Sequence, residues 1–133
     1  MKIVEKINIP TFSDERGDLS VMELKNFIDW EVKRIYYATS TKKMRGGHAF
    51  IGEKKLYVCA QGSMVGKFHD GESWQEIALN GPGEGVQVGG LCWREFDGFS
   101  EGAVLLCVSN LNYESEKYIT EFGQFLEYYQ SKK

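Results

Sequence analysis

The two histidines of the chain, His48 and His69, are the side chains best suited to proton transfer near neutral pH. His48 follows the glycine-rich turn Arg45-Gly46-Gly47 and opens an alternating run, so its ring points either into the fold or out of it. It is therefore a candidate general base. The alternative is an imidazole that is satisfied by a neighbouring hydroxyl or carbonyl group. His69 directly precedes the hairpin signal Asp70-Gly71, and we expect it to lie exposed at a loop tip.

The number of histidines also restricts the chemistry. A histidine-rich metal site needs about three imidazoles and a carboxylate around the ion, because these are the ligands that suit it. The chain has two histidines in total. We therefore expect neither a metal nor another cofactor.

Composition indicates one ordinary globular domain, residues 1–133, with 42% hydrophobic and 26% charged residues. The net charge of −3 argues against a nucleic-acid partner, because proteins that bind nucleic acid normally have a basic face. No apolar run approaches the roughly 20 residues of a membrane span, and the opening Met1–Glu5 does not resemble a signal peptide. Three cysteines without metal-site spacing suggest reduced thiols, so we expect a cytoplasmic protein.

Short apolar or alternating runs, separated by glycine-rich turns, recur at the spacing of an antiparallel β-domain. The predicted strands are Lys2–Ile9, Leu19–Leu24, Val32–Thr39, His48–Ile51, Leu56–Gln61, Met64–His69, Trp74–Leu79, Gly85–Val88, Cys92–Phe96 and Ala103–Ser109. The last of these is apolar on both faces, which predicts a central strand.

The final segment has a different period. Apolar residues at three- and four-residue spacings predict a helix over Tyr118–Tyr129, packed on the outside of the β-domain. An all-β domain with one C-terminal helix is compatible with a cupin-like jelly roll, a lipocalin-like cup or an oligonucleotide-binding barrel. The first two enclose a ligand pocket in the barrel mouth. Tyr36, Tyr37 and Trp93 are candidates to line such a pocket, although buried aromatic residues are more often core.

An ordered series of short strings resembles the nucleotide-sugar 3,4-ketoisomerases, which are small cupins. The strings are Arg16-Gly17-Asp18-Leu19, Val32-Lys33-Arg34-Ile35-Tyr36-Tyr37, Arg45-Gly46-Gly47-His48-Ala49, Gln61-Gly62-Ser63, Asp70-Gly71, Trp93 with Glu95, Phe99-Ser100, Ser109, Tyr113 and Tyr118-Ile119. They span roughly residues 9–129. The resemblance implies an antiparallel jelly-roll barrel of the cupin type with a C-terminal α-helix.

The resemblance also implies a reaction. These enzymes move the ketone of thymidine-diphosphate (TDP) 4-keto-6-deoxyglucose from C4 to C3 through an enediol, which requires a base at C3, a proton donor at C4 and hydrogen bonds to the enediolate oxygen. His48 matches the family's base, Tyr36 its tyrosine and Arg45 its loop arginine. Arg16, Arg34, Phe50, Trp93 and Arg94 are expected to contact substrate. Metal independence, a homodimer formed through the sheets and a role in making a deoxyamino sugar for surface polysaccharide are implied as well.

Two departures from the family pattern leave questions open. Phe50 stands where the family has a second histidine, and the lysine and glutamine that usually follow are replaced in Ile51–Lys55. Positions matching Arg16 and Arg94 differ between members of opposite C4 stereochemistry, so the product configuration is not determined. Two alternatives therefore remain: an epimerase or isomerase for another nucleotide sugar, and a non-catalytic cupin that binds a sugar nucleotide.

Overall fold

The structure, a computed structural model, describes residues 3–113 and 117–133. Its elements in chain order are β1 Val4–Asn8, β2 Thr11–Asp14, β3 Gly17–Ser20, a 3₁₀ helix Leu24–Asn26, β4 Arg34–Thr39, β5 Arg45–Phe50, β6 Lys55–Gln61, β7 Ser63–His69, β8 Trp74–Asn80, β9 Glu84–Val88, β10 Trp93–Asp97, β11 Val104–Ser109, β12 Tyr118–Ile119 and α1 Phe122–Ser131.

Two five-stranded antiparallel sheets form the body of the fold. Their strand orders are β1-β9-β6-β11-β4 and β12-β5-β10-β7-β8, and a separate two-stranded sheet pairs β2 with β3. The main core lies between the two sheets and is built from alternating inward residues such as Cys59, Phe68, Leu79 and Leu105. This arrangement confirms the predicted all-β, cupin-like jelly roll with a C-terminal helix.

Three predicted elements were wrong in their bounds by more than two residues, and one of them is β5, which begins at Arg45 instead of His48. The predicted strand Leu19–Leu24 is the short strand β3 followed by the 3₁₀ helix, and β2 was not predicted at all. The helix begins at Phe122, because Tyr118 and Ile119 instead pair with Phe50 and Ala49 across the sheet edge. Lys2, the first residue of the first predicted strand, lies outside the described residues.

Helix α1 packs on the outer face of the second sheet, as predicted. Phe125 is fully buried there and contacts Ala49 of β5 and Trp93 of β10. Among the described residues, no helix is long and apolar enough to cross a membrane.

The helix also overturns the expectation that His69 is exposed. His69 is only 7% exposed, because Trp74 and Phe122 close over its ring. Its Nδ1 accepts a hydrogen bond of 3.0 Å from the Gly71 amide. A side chain at position 71 would collide with the Tyr129 ring, so glycine is required for the helix to dock here. His69 therefore belongs to the helix-docking surface.

Candidate active site

The inward-facing residues change from apolar to polar along the strands toward one end of the barrel. On β6 they run from Cys59 through Tyr57 to Lys55, and on the neighbouring β11 Cys107 precedes Ser109. Alternation keeps such residues on one face of their strand. The apolar core therefore gives way to a polar floor at this end of the fold.

Above the polar floor lies an open cavity of about 570 Å³. Strands β4 and β5 supply most of its wall, and the chain around β12 closes one side. Its lining residues are Arg34, Tyr36, Arg45, His48, Phe50, Tyr113, Tyr118 and Thr120. The volume falls within the usual range for small-molecule sites.

His48 is half-buried in the cavity wall. Its ring meets Phe50 edge-on, with 4.7 Å between centroids, and lies 5.6 Å from the Tyr118 ring. Burial lowers the pKa of His48 to about 4, and the positive charges of Arg94 and Lys55 lower it further. A hydrogen bond with the Gly46 backbone acts in the opposite direction and raises this pKa. The imidazole is therefore neutral at physiological pH and able to accept a proton.

Tyr36 projects from β4 into the same cavity. Its hydroxyl oxygen accepts a hydrogen bond from the Lys55 ammonium, and the Arg34 guanidinium lies 4.7 Å from its ring centroid. Burial raises the pKa of Tyr36 well above its usual value, with Cys107 adding to the effect. The phenol therefore keeps its proton and can act as a donor.

The floor of the cavity is a buried charge cluster centred on Glu53. Its Oε1 lies 3.3 Å from Lys55 Nζ and 4.0 Å from Arg94 Nη1, and its Oε2 lies 3.8 Å from Arg34 Nη2. The Ser109 hydroxyl donates to Oε2 at 2.8 Å. Buried charges are costly unless they are paired and hydrogen-bonded. Ionisable groups in such environments concentrate at functional sites, whereas buried ion pairs add little to stability.

Comparison with known proteins identifies the family. The model of the family described as "FdtA: WxcM-like, C-terminal" matches residues 2–130. A curated TDP-4-oxo-6-deoxy-α-D-glucose 3,4-oxoisomerase from Aneurinibacillus thermoaerophilus is 34% identical over 124 residues, covering 92% of this chain and 89% of the relative. The chain belongs to the nucleotide-sugar 3,4-ketoisomerase family. The resemblance read from the sequence is thereby confirmed.

Solved ketoisomerase structures share the whole fold. A variant of QdtA from Thermoanaerobacterium thermosaccharolyticum, in complex with TDP-4-keto-6-deoxyglucose, superposes with a TM-score of 0.88 at 28% identity, covering 98% of this chain and 96% of that one. A 3,4-ketoisomerase from Helicobacter canadensis gives a TM-score of 0.86 at 33% identity, with coverages of 96% and 97%. This ketoisomerase therefore has the family's architecture from one end to the other.

The structure brings five of the eight predicted site residues to the cavity. His48, Tyr36 and Arg45 line it together, as do Arg34 and Phe50. Phe50 shares the inward face of β5 with His48, as expected for residues two apart in a strand.

The other three predicted residues lie outside this cavity in the single chain, and their role in substrate binding stays a prediction. Arg94 is buried behind Phe50, where its guanidinium donates to the Tyr57 hydroxyl at 2.7 Å and to the Cys92 carbonyl at 3.0 Å. Trp93, its neighbour on β10, faces the opposite side and packs under α1. Arg16 lies exposed on the β2–β3 hairpin, in an ion pair of 2.6 Å with Asp14.

The sequence reading missed the charged floor. In the sequence, Glu53 and Lys55 stand out only as departures from the family string, and no pattern gives a role to the Ser109 hydroxyl. One signal was available: Lys55 alternates with Tyr57 and Cys59 at inward positions of an otherwise apolar run. A charge at such a position is expensive, which makes it a candidate for function.

No group of three or more potential metal ligands lies together within residues 3–113 and 117–133. Metal independence stays a prediction from the histidine count.

Proposed function

We propose that this ketoisomerase moves the ketone of TDP-4-keto-6-deoxyglucose from C4 to C3 through an enediol intermediate. The observation that carries this proposal is a neutral histidine, His48, facing a cavity that also presents the protonated Tyr36 hydroxyl. The relative from Aneurinibacillus thermoaerophilus is named for the same conversion, and a QdtA variant binds the same sugar nucleotide.

The reaction needs two proton transfers at carbon, and the cavity offers a group for each. His48 takes the proton from C3, and the electron pair becomes the C3=C4 double bond of an enediolate. Tyr36 then delivers a proton to C4, while a proton passes from O3 to O4. The C3 ketone forms, and the proton held by His48 returns to Tyr36 through solvent. Arg45, at the cavity rim, supplies hydrogen bonds to the enediolate oxygen.

The charge of the cavity suits a sugar nucleotide. Arg34 lines it beside Arg45, and the guanidinium group of Arg34 can pair with a diphosphate. Tyr113 and Tyr118 add aromatic surface for apolar parts of the ligand.

The decisive test is a proton NMR time course with TDP-4-keto-6-deoxyglucose in deuterated water. We expect deuterium at C4 of a 3-keto product, and the coupling constants of that product give its C4 configuration. Exchange at C3 without ketone transfer would replace the proposal with an epimerase-like reaction. Binding without any exchange would indicate a non-catalytic cupin.

We further propose that the protein is a homodimer whose partner covers the edge strand β4 and the β2–β3 hairpin. Ile35 and Tyr37 on β4 are 58% and 69% exposed, and Phe12 and Leu19 pair on the hairpin at 64% and 65%. An exposed apolar edge strand favours pairing with another chain. Light scattering after size exclusion should give twice the chain mass of 15.2 kDa. A monomer at micromolar concentration would contradict the dimer.

A further inference from the structure

Lys55 is a charged residue buried beneath the cavity. Its side chain is 1% exposed, and its ammonium hydrogen-bonds Tyr36 while lying 3.3 Å from Glu53. It does not line the cavity itself, because the Phe50 ring, 4.1 Å from Nζ, lies over it. Lys55 can therefore affect the reaction only through a neighbouring residue such as Tyr36.

The hydrogen bond from Lys55 restricts the Tyr36 hydroxyl. An ammonium group is a donor only, so the phenolic oxygen accepts from it and its own hydrogen must point elsewhere. Cys107, the cross-strand neighbour of Tyr36, hydrogen-bonds its hydroxyl, but a thiol sulfur is only a weak acceptor. The better acceptor is a substrate atom in the cavity.

We infer that Lys55 is a positioning residue for Tyr36: its ammonium directs the phenolic hydrogen into the cavity and stabilises the phenolate after the proton has left. The inference deepens the proposed function and rests on it. When the Tyr36 O–H bond breaks and the C4–H bond forms, the negative charge left on oxygen lies beside the Lys55 cation. No electron transfer or further reactant is needed. A charge-assisted hydrogen bond is about twice as strong as a neutral one, so the pair favours proton delivery.

The same cation assists the base from a distance. Lys55 and Arg94 both disfavour a second positive charge on His48. The other charged and titratable groups around Lys55 are Glu53 on the preceding loop, Arg34 and Tyr36 on β4, Tyr57 on β6, Arg94 on β10 and Cys107 on β11. Burial lowers the pKa of Lys55 to about 8, with Glu53 opposing this effect. The ammonium form therefore persists at neutral pH and is lost in mildly alkaline solution.

The experiment compares Lys55→Met with Lys54→Met, which removes the neighbouring exposed lysine. Lys55→Met should lower kcat roughly 10²-fold, the scale of positioned proton transfer, with KM within threefold because Lys55 does not line the cavity. Lys54→Met should match the wild type. The wild-type kcat should fall above about pH 8, and this alkaline decline should move upward in Lys55→Arg, whose guanidinium stays charged.

Lys55→Met leaves Glu53 with one cation fewer, so the charge-balanced pair Lys55→Met with Glu53→Gln carries the same test if the single variant is unstable. A kcat within threefold of the wild type in either background would overturn the inference. So would an alkaline decline that is identical in the wild type and in Lys55→Arg.

A second readout separates this inference from the proposed function. The NMR titration of the His48 imidazole, assigned by its absence in His48→Asn, should shift to higher pH in Lys55→Met and stay unchanged in Lys54→Met. An inactive wild type would refute the proposed function, whereas an unshifted titration in an active enzyme would refute the coupling of Lys55 to the site.

Discussion

Replacing His48 by asparagine tests the assignment of the base most directly. The amide keeps a polar side chain of similar size on β5 and removes the titratable nitrogen. A positioned base contributes at least about 10²-fold in rate, which corresponds to about 2.7 kcal/mol of activation free energy. Because the His48 imidazole is already neutral at pH 7, this loss should be the same at pH 6 and pH 8.

The fold should tolerate the substitution. His48 is half-buried, and its ring makes edge contacts with Phe50 and Tyr118 that are worth about 0.5–1.5 kcal/mol each beyond their buried area. Losing both is small against the 5–15 kcal/mol typical of a domain, so the variant should remain folded at 25 °C. Thermal unfolding by circular dichroism checks this before any rate is interpreted.

The assay follows, by proton NMR in deuterated water, the loss of the C3 proton of TDP-4-keto-6-deoxyglucose and the incorporation of deuterium at C4 of the product. His69→Asn is the matched control: it should unfold at a lower temperature, because His69 is buried under α1, but keep its kcat. A folded His48→Asn that turns over within tenfold of the wild type would refute the assignment. Equal losses in the two variants would do the same.

The remaining predictions concern the proton donor Tyr36, the cavity wall at Phe50, the packing of helix α1, the pH dependence of the rate and the need for a metal ion. Tyr36→Phe should abolish product formation but leave exchange at C3 detectable by NMR; full turnover would exclude Tyr36 as the donor. Phe50→His should fold and keep turning over in the same assay, since the family carries histidine there; an inactive folded variant would show that the Phe50 ring is required. Phe125→Ala should cost about 3–5 kcal/mol in urea unfolding, because the ring is fully buried under α1. The acid limb of kcat/KM should lie near pH 4, far below that of an ordinary histidine, because the reaction needs neutral His48 and loses it only as pH falls through that value. Activity should survive prolonged chelation; loss of turnover on removing a stoichiometric metal would contradict the histidine count.

The local pattern determined much of this protein. Alternation placed His48 and Phe50 on one face of β5, and a three- to four-residue apolar period located the C-terminal helix. The ordered strings identified the family. These inferences succeeded because each depends on residues close together in the chain.

The local pattern does not decide which side of a strand or turn becomes buried. A period of two says which residues of a strand share a face, but not which face is inward. Trp93 and Arg94 are consecutive in β10 and therefore face opposite sides of the sheet. The register with β5 turns Arg94 inward and Trp93 toward α1. Similarly, His69 follows a strand and precedes a turn, and only the docked helix buries it.

The buried charge cluster was decided by tertiary structure alone. Tyr36 and Lys55 are 19 residues apart and meet only because β11 pairs with both β4 and β6. Burial between the sheets then turns an ordinary lysine and tyrosine into a coupled pair, since removing water strengthens their interaction and penalises their charged forms. The sequence determines the residue types, but the pKa values of Tyr36 and Lys55 depend on the strand pairing that removes both side chains from water.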